Sequence, residues 1–316
     1  MAYSAGDTIL DDEYNTFVNN SSNPYGYNHF AGPGSGVYGL NQSTISTVSA
    51  GGTINASSWN SLFTGLDNIS NHTNVSITAS SVSAGDTVAI RAALVSDLAN
   101  LAAAVAGGST SATALTDRAA GTSTNGITWN TTSTIERSIT FANNNTMRAY
   151  FNAGGTIKIN PGTSGSVSGS KDTVFQQLEA AVGTLEFKAH ATTRSGSGET
   201  QTTFNSGTGF HDLSTGYSTL LKLTSNNSGY TSDTLTISAK LNAAVSSATV
   251  ITIKSVASDP AADTTYTSGN LSGVPANPNE APAMSLALTA KEPTAAQGLA
   301  SAIQFSSNAQ VSNSAS

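Results

Sequence analysis

The sequence predicts a mainly β protein: an antiparallel β-sandwich-like domain with one inserted helix, preceded by a small helical and irregular N-terminal region. Three observations lead there. Apolar residues recur at helical spacing in short runs before residue 110, and once more near residue 175. From Ile127 onward most apolar runs alternate with polar residues. The runs are short and their connections are rich in Gly and Ser, as sandwich strands and turns are. The divisions that follow are a helical assembly region at 1–110, a linker at 111–125, a β domain at 126–300 and a flexible tail at 301–316.

The N-terminal region carries a loose repeat that opens at Ser4, Ser49 and Ser83 with SAGDT, SAGGT and SAGDT. The spacing is irregular, so this is not a solenoid period. Each copy reads as a tight turn, then Thr with Ile or Val, then a short helix. In the first copy, Asp11 and Asp12 favour a helix N-terminus, and Tyr14, Phe17 and Val18 form the apolar stripe. In the second, Trp59, Leu62, Phe63, Leu66 and Ile69 share one helical face, with Ser57 or Ser58 as the expected N-cap. In the third, Leu94, Leu98, Leu101 and Val105 form the stripe and Gly107–Gly108 the stop. The segment between the first two copies, Asn23–Ser43, has five glycines, two prolines and several aromatics. A plain linker would lack the aromatics. Tyr25, Tyr27, Phe30 and Tyr38 are therefore the candidate interface: anchors on a neighbouring subunit, a satellite core under the loop, or a platform for sugar rings.

In the β domain, TIERSITF offers Ile135, Ile139 and Phe141 to a core, with Arg137 expected to face out. MRAYF and TIKIN read as a hairpin closed by Asn152–Gly155. Val174, Phe175, Leu178 and Val182 mark the inserted helix, ended by Gly183. Strands follow at LEF, TQTTF, LLKLT, TLTISAKL and TVITIKS, and MSLALTA is an expected edge strand. The last residues, FSSNAQVSNSAS, have little to bury and are expected to fray unless a partner holds them.

Composition narrows the function. Only 10% of the 316 residues are charged, against roughly 25% in an average domain. Solubility rests on hydroxyls and amides, and copies can pack closely with weak charge repulsion. A net charge of −7 and no basic run argue against direct nucleic-acid binding. No apolar run is long enough to insert in a membrane, and MAYSAGDTIL has no signal-peptide pattern. Without cysteine there is no disulfide and no thiolate metal site. His29, His72, His190 and His211 show no metal-ligand spacing, and His211–Asp212 would need distant partners. Asp11, Asp12 and Glu13 lack the alternating pattern of a calcium loop. The Gly turns match no phosphate loop, and no carboxylate pair is marked as catalytic. No catalytic, cofactor or metal residue is assigned.

Several stretches, in order, resemble a family of virion structural proteins of tailed bacteriophages, especially marine and cyanobacterial phages. They are YSAGDTILDDEYNTF at the start, then YFNAGGTIKI, SKDTVFQQL, GTLEFKAHATTRSGSGET, GTGFHDLSTGY and YTSDTLTISAKLN. The resemblance covers roughly residues 1–20 and 125–255. It implies a non-enzymatic component of tail, baseplate, neck or fibre, assembled in the host cytoplasm. Its partners would be copies of itself and other virion proteins. The alternative is a fibre or adhesin module that binds a host-surface glycan.

Overall fold

The computed structural model describes residues 11–33, 39–83, 91–111, 114–126, 129, 131–164, 170–260, 281–295 and 298–316. The first and third Ser-Ala-Gly turns and Tyr38 lie outside them. The chain divides into two compact units, each built from three segments. Residues 1–117, 142–155 and 291–304 form the first, and 118–141, 156–290 and 305–316 the second.

The first unit holds helices α1 (Asp11–Asn19), α2 (Tyr27–Phe30), α3 (Ala56–Thr73), α4 (Arg91–Ala106) and α5 (Asn144–Asn152). The expected stripes of α1, α3 and α4 are all buried. Trp59 is the hub, edge-on to Tyr14 at 5.2 Å and stacked with Phe63 at 5.8 Å. The N-cap of α3 is Asn55, not Ser57 or Ser58. Asn55 is extended, and its Oδ1 accepts the Ser58 N–H at 2.9 Å. The second Ser-Ala-Gly stretch is the expected tight turn, with Gly52 N–H on the Ser49 carbonyl at 2.7 Å and Gly51 at φ +73°.

Asparagines tie this unit together. Asn15 receives the Val48 N–H and donates to the Val48 carbonyl, both at 2.8 Å. Asn28 does the same to Ile45, and Asn60 to Val82. The side-chain amide thus acts as a peptide group, satisfying backbone that no sheet or helix pairs. On α4, the buried Asp97 accepts the N–H groups of Thr78 and Ala79. Extended segments are pinned to helices without any net charge at three of these four points.

The predicted hairpin at Met147–Asn160 is not formed; Asn144–Asn152 is helix α5. Asn143 caps it by accepting the Thr146 N–H at 2.9 Å. At its end Gly154 N–H bonds the Phe151 carbonyl and Gly155 N–H the Tyr150 carbonyl, with Gly154 at φ +79°. This is a Schellman stop, for which left-handed glycine is the preferred residue. Met147, Tyr150 and Phe151 are fully buried from one helical face.

The second unit holds most of both antiparallel sheets and helix α6 (Ser170–Val182). One sheet orders β1 (Leu115–Thr124), β10 (Ala283–Pro293), β3 (Thr156–Ser164), β4 (Leu185–Phe187) and β5 (Thr192–Arg194). The other orders β11 (Ser307–Ala315), β2 (Thr132–Thr140), β9 (Val250–Ser258), β8 (Thr234–Leu241), β7 (Ser218–Thr224) and β6 (Thr200–Phe204). The expected mainly β sandwich is therefore incorrect. The fold is mixed α/β, with helices throughout the chain and two open sheets. The reason lies in α6, which packs on β3 of one sheet and on β7 and β8 of the other. A helix about 10 Å wide occupies space that direct sheet-on-sheet packing would need.

Three more expectations are corrected. Residues 115–124, read as linker, are strand β1. MSLALTA is interior strand β10, buried through Met284, Leu286, Leu288 and Ala290, not an edge. Residues 307–315, expected to fray, pair antiparallel with β2.

Arg137 is buried rather than outward. Strand alternation puts it on the same face as Ile135 and Ile139, so it must enter the interior with them. Its two terminal nitrogens donate there to Ser123 Oγ at 2.5 Å, the Ala120 carbonyl at 3.1 Å and Asn308 Oδ1 at 2.7 Å, while the buried Nε meets no acceptor.

Candidate functional site

The start of the Asn23–Ser43 loop is held by Asn20, just before it. The Asn20 side chain donates to the Ser22 and Pro24 carbonyls, and the Gly26 N–H bonds the Asn20 carbonyl at 2.9 Å. That closure delivers the short helix α2. Tyr27 and Phe30 then turn inward, with 5% and 1% of their surface exposed. Tyr27 packs against α3 at Gly65, where a Cβ would come within 2.7 Å of its ring. Of the four candidate contact residues, these two are spent on the unit's own core. Tyr25 is half-buried and stacks on His29 at 4.1 Å with the rings 6° apart. Burial lowers the His29 pKa, so the ring favours its neutral form. Tyr25, His29 and Phe30 face Ala99, Ala103 and Ala106 of α4 across a groove of about 310 Å³. A second groove, about 340 Å³, is lined by Tyr14 and by hydroxyls of Thr44, Ser46, Ser57, Ser58 and Ser61.

The second unit contains a buried charged cluster that no motif marks. Lys171, in the first turn of α6, meets Asp259 beyond the end of β9 at 2.5 Å. Asp233, in the turn before β8, faces Asp259. Asp233 and Asp259 are both 0% exposed, and neither Asp233 oxygen reaches an N–H or O–H donor. Burial, then the Asp259 charge and a hydrogen bond to it, push the Asp233 carboxyl up to about 7, with Lys171 opposing. Near neutral pH the Asp233 carboxyl is therefore divided between its protonated and ionised forms. Further along α6, burial pushes Glu179 up to about 8, opposed by hydrogen bonds from Thr163. The cluster can hold a proton and join α6 to β8 and β9. Both aspartates are enclosed, whereas the carboxylates of a glycosidase flank a cleft.

The remaining sequence candidates are scattered. His72 is fully buried, with Nε2 on the Ala153 carbonyl at 3.1 Å. His190 and His211 stack at 4.6 Å, while Asp212 is occupied in capping the Gly209 N–H at 2.9 Å. On the outer face of the larger sheet, Lys254 and Lys240 approach the Tyr217 ring at 3.7 and 4.4 Å. Burial and the neighbouring Glu136 raise the Tyr217 pKa. Among the described residues, no group of three or more His, Asp or Glu is placed to hold a metal ion, and no helix is long and apolar enough to cross a membrane.

Sequence reasoning missed the Lys171–Asp259–Asp233 cluster because its members are far apart in the chain. The one local signal is an aspartate directly before the clean apolar alternation of β8, a place where burial is imposed by the strand. Compared with protein-family models, curated proteins and solved structures, the chain matches none.

Proposed function

We propose that this chain is a non-enzymatic structural protein of a tailed-phage virion, assembled in many copies in the host cytoplasm and working by shape and contact. One observation carries the reading. Several side chains suited to chemistry point inward and serve the framework: Lys171, Asp233 and Asp259 in one cluster, Arg137 beneath a sheet, His72 on a helix end. What faces solvent is dominated by hydroxyls and amides, in a chain only 10% charged. Such a surface is suited to close repetition of identical subunits. The ordered motifs of the phage family resemblance support the same assignment.

A second reading has one observation in its favour. The half-buried Tyr25 ring, stacked on His29 at the rim of the α4 groove, is a surface on which a host sugar could stack. Mass spectrometry of purified particles, followed by a subnanometre map, separates the two. Copies at a repeated junction establish assembly. A distal position with the Tyr25 groove open establishes recognition. Absence from the particles removes both.

A further inference from the structure

Lys171, Asp233 and Asp259 are arranged for a reaction as well as a contact. Strands β8 and β9 pair with Thr234 opposite Ser258, so Asp233 and Asp259 stand opposite one another one step beyond the ladder. Alternation puts Asp233 on the face of Leu235, Ile237 and Ala239, and Asp259 on the face of Ala257, Ser255 and Ile253, all of them buried. Helix α6 packs on β8 and brings Lys171 Nζ to 2.5 Å from Asp259 Oδ2. The backbone is pinned on both sides. The Asp259 N–H bonds the Thr131 carbonyl and the Asp233 carbonyl accepts the Ser225 N–H, both at 2.9 Å. One helical turn after Lys171, the fully buried Phe175 meets the Trp129 ring at 4.8 Å.

We propose that Lys171 and Asp259 condense to an amide, an intramolecular crosslink between α6 and the end of β9, with Asp233 as general acid and base. The chain supplies every reactant. A proton passes from the Lys171 ammonium to the Asp259 carboxylate, leaving a neutral amine and a carboxylic acid. The Nζ lone pair attacks Asp259 Cγ, and the N–C bond forms as the carbonyl π pair moves to oxygen. Asp233, in its acid form, gives its proton to the departing hydroxyl. The C–O bond breaks, the carbonyl re-forms, and the Asp233 carboxylate takes a proton from the nitrogen. One water leaves, nothing is oxidised or reduced, and Asp233 ends as it began.

Three conditions favour the step. Burial penalises both ions of the pair, whereas the amide that replaces them is neutral. The fold holds the reacting groups together, so the step is unimolecular. Burial also keeps part of Asp233 protonated near neutral pH, the form an acid needs in order to donate. Asp233 is not consumed, so it still titrates after the bond has formed. The partly exposed pair Lys188–Glu186, at 3.0 Å, is the contrast, because its ions keep their water. In a chain without cysteine, such a bond closes a long loop covalently with no oxidant.

Mass spectrometry of the purified, denatured full chain tests this directly. The wild type should read one water below the mass of its sequence, and proteolysis should release a branched peptide joining Lys171 to Asp259. Lys171→Met and Asp259→Ala should both sit at full mass. Followed from cell-free synthesis, Asp233→Asn should form the bond roughly a hundredfold more slowly or worse, with a wild-type circular-dichroism spectrum. A wild type at full mass overturns the proposal. So does a lost water mapped to another pair, for example one involving the adjacent Asp172. Bond formation as fast in Asp233→Asn as in the wild type overturns the role of Asp233. If Lys171→Met fails to fold, the wild-type mass and the branched peptide still decide. The readout is the chain alone, so the result is independent of whether purified particles contain it.

Discussion

Asp233 is a carboxyl placed where neither of its oxygens meets a donor, beside a second carboxylate that already holds the local lysine. Its pKa of about 7 in the fold exceeds that of an exposed aspartate, so the folded state binds the proton more tightly than the unfolded chain. Its contribution to stability is therefore full below about pH 4 and is lost as pH rises to about 7. Glu179 behaves in the same sense up to about pH 8. Stability measured by urea unfolding should carry a falling component over this range. Asp233→Asn should remove the part ending near pH 7, and Glu179→Gln the part ending near pH 8. Asp233→Asn should thus gain on the wild type as pH rises. An unchanged slope would show that the proton is not held there. Asn15, Asn28 and Asn60 show the neutral counterpart, since each pairs with both backbone groups of one distant residue. None of this is legible from the residues alone, because an asparagine in a helix gives no sign of which extended segment will lie beside it.

At the scale of elements, α3 contains Gly65 in its interior, where glycine normally costs about 0.5–1 kcal/mol relative to alanine. Gly65→Ala would ordinarily stabilise. Here the new methyl would press on the Tyr27 ring, and overpacking costs about 1–3 kcal/mol. The variant should unfold at lower temperature than the wild type, and adding Tyr27→Leu should recover part of the loss. A stabilised Gly65→Ala would mean that α2 does not seat on α3. The stripes of α1, α3 and α4 were readable because helical periodicity survives any packing partner. Helix α5 was also readable, and misread. Asn143 before the run, Met147, Tyr150 and Phe151 at helical spacing, and Gly154–Gly155 after it form a complete helix signature. The β-prone aromatics and the paired glycines drew the hairpin reading instead, although glycines end helices as readily as they turn strands.

For the whole molecule, the decisive property is that each unit is assembled from three separate segments. The first 110 residues look like an independent helical region, yet their unit also requires α5 and residues 291–304. His72 is sealed by the Ala153 carbonyl, Gln42 accepts the Ala300 N–H at 2.7 Å, and Leu299 and Ile303 are buried. A fragment of residues 1–110 should therefore lack a cooperative thermal transition and a dispersed amide spectrum that the full chain shows. A cooperative fragment would overturn this account of the unit. By itself the sequence determined the local periods: the helical stripes, the alternation of β8 and β9, the tight turn at Ser49–Gly52, and a surface low in charge. Those follow from side-chain spacing and backbone preference, which act within a few residues. Tertiary structure alone decided that α6 packs on strands of both sheets, that Arg137 points inward, that Lys171, Asp233 and Asp259 meet, and that β11 has a free edge. These depend on which distant segments become neighbours, and the free energy that selects them is spread over the whole packed interior rather than carried by any local run.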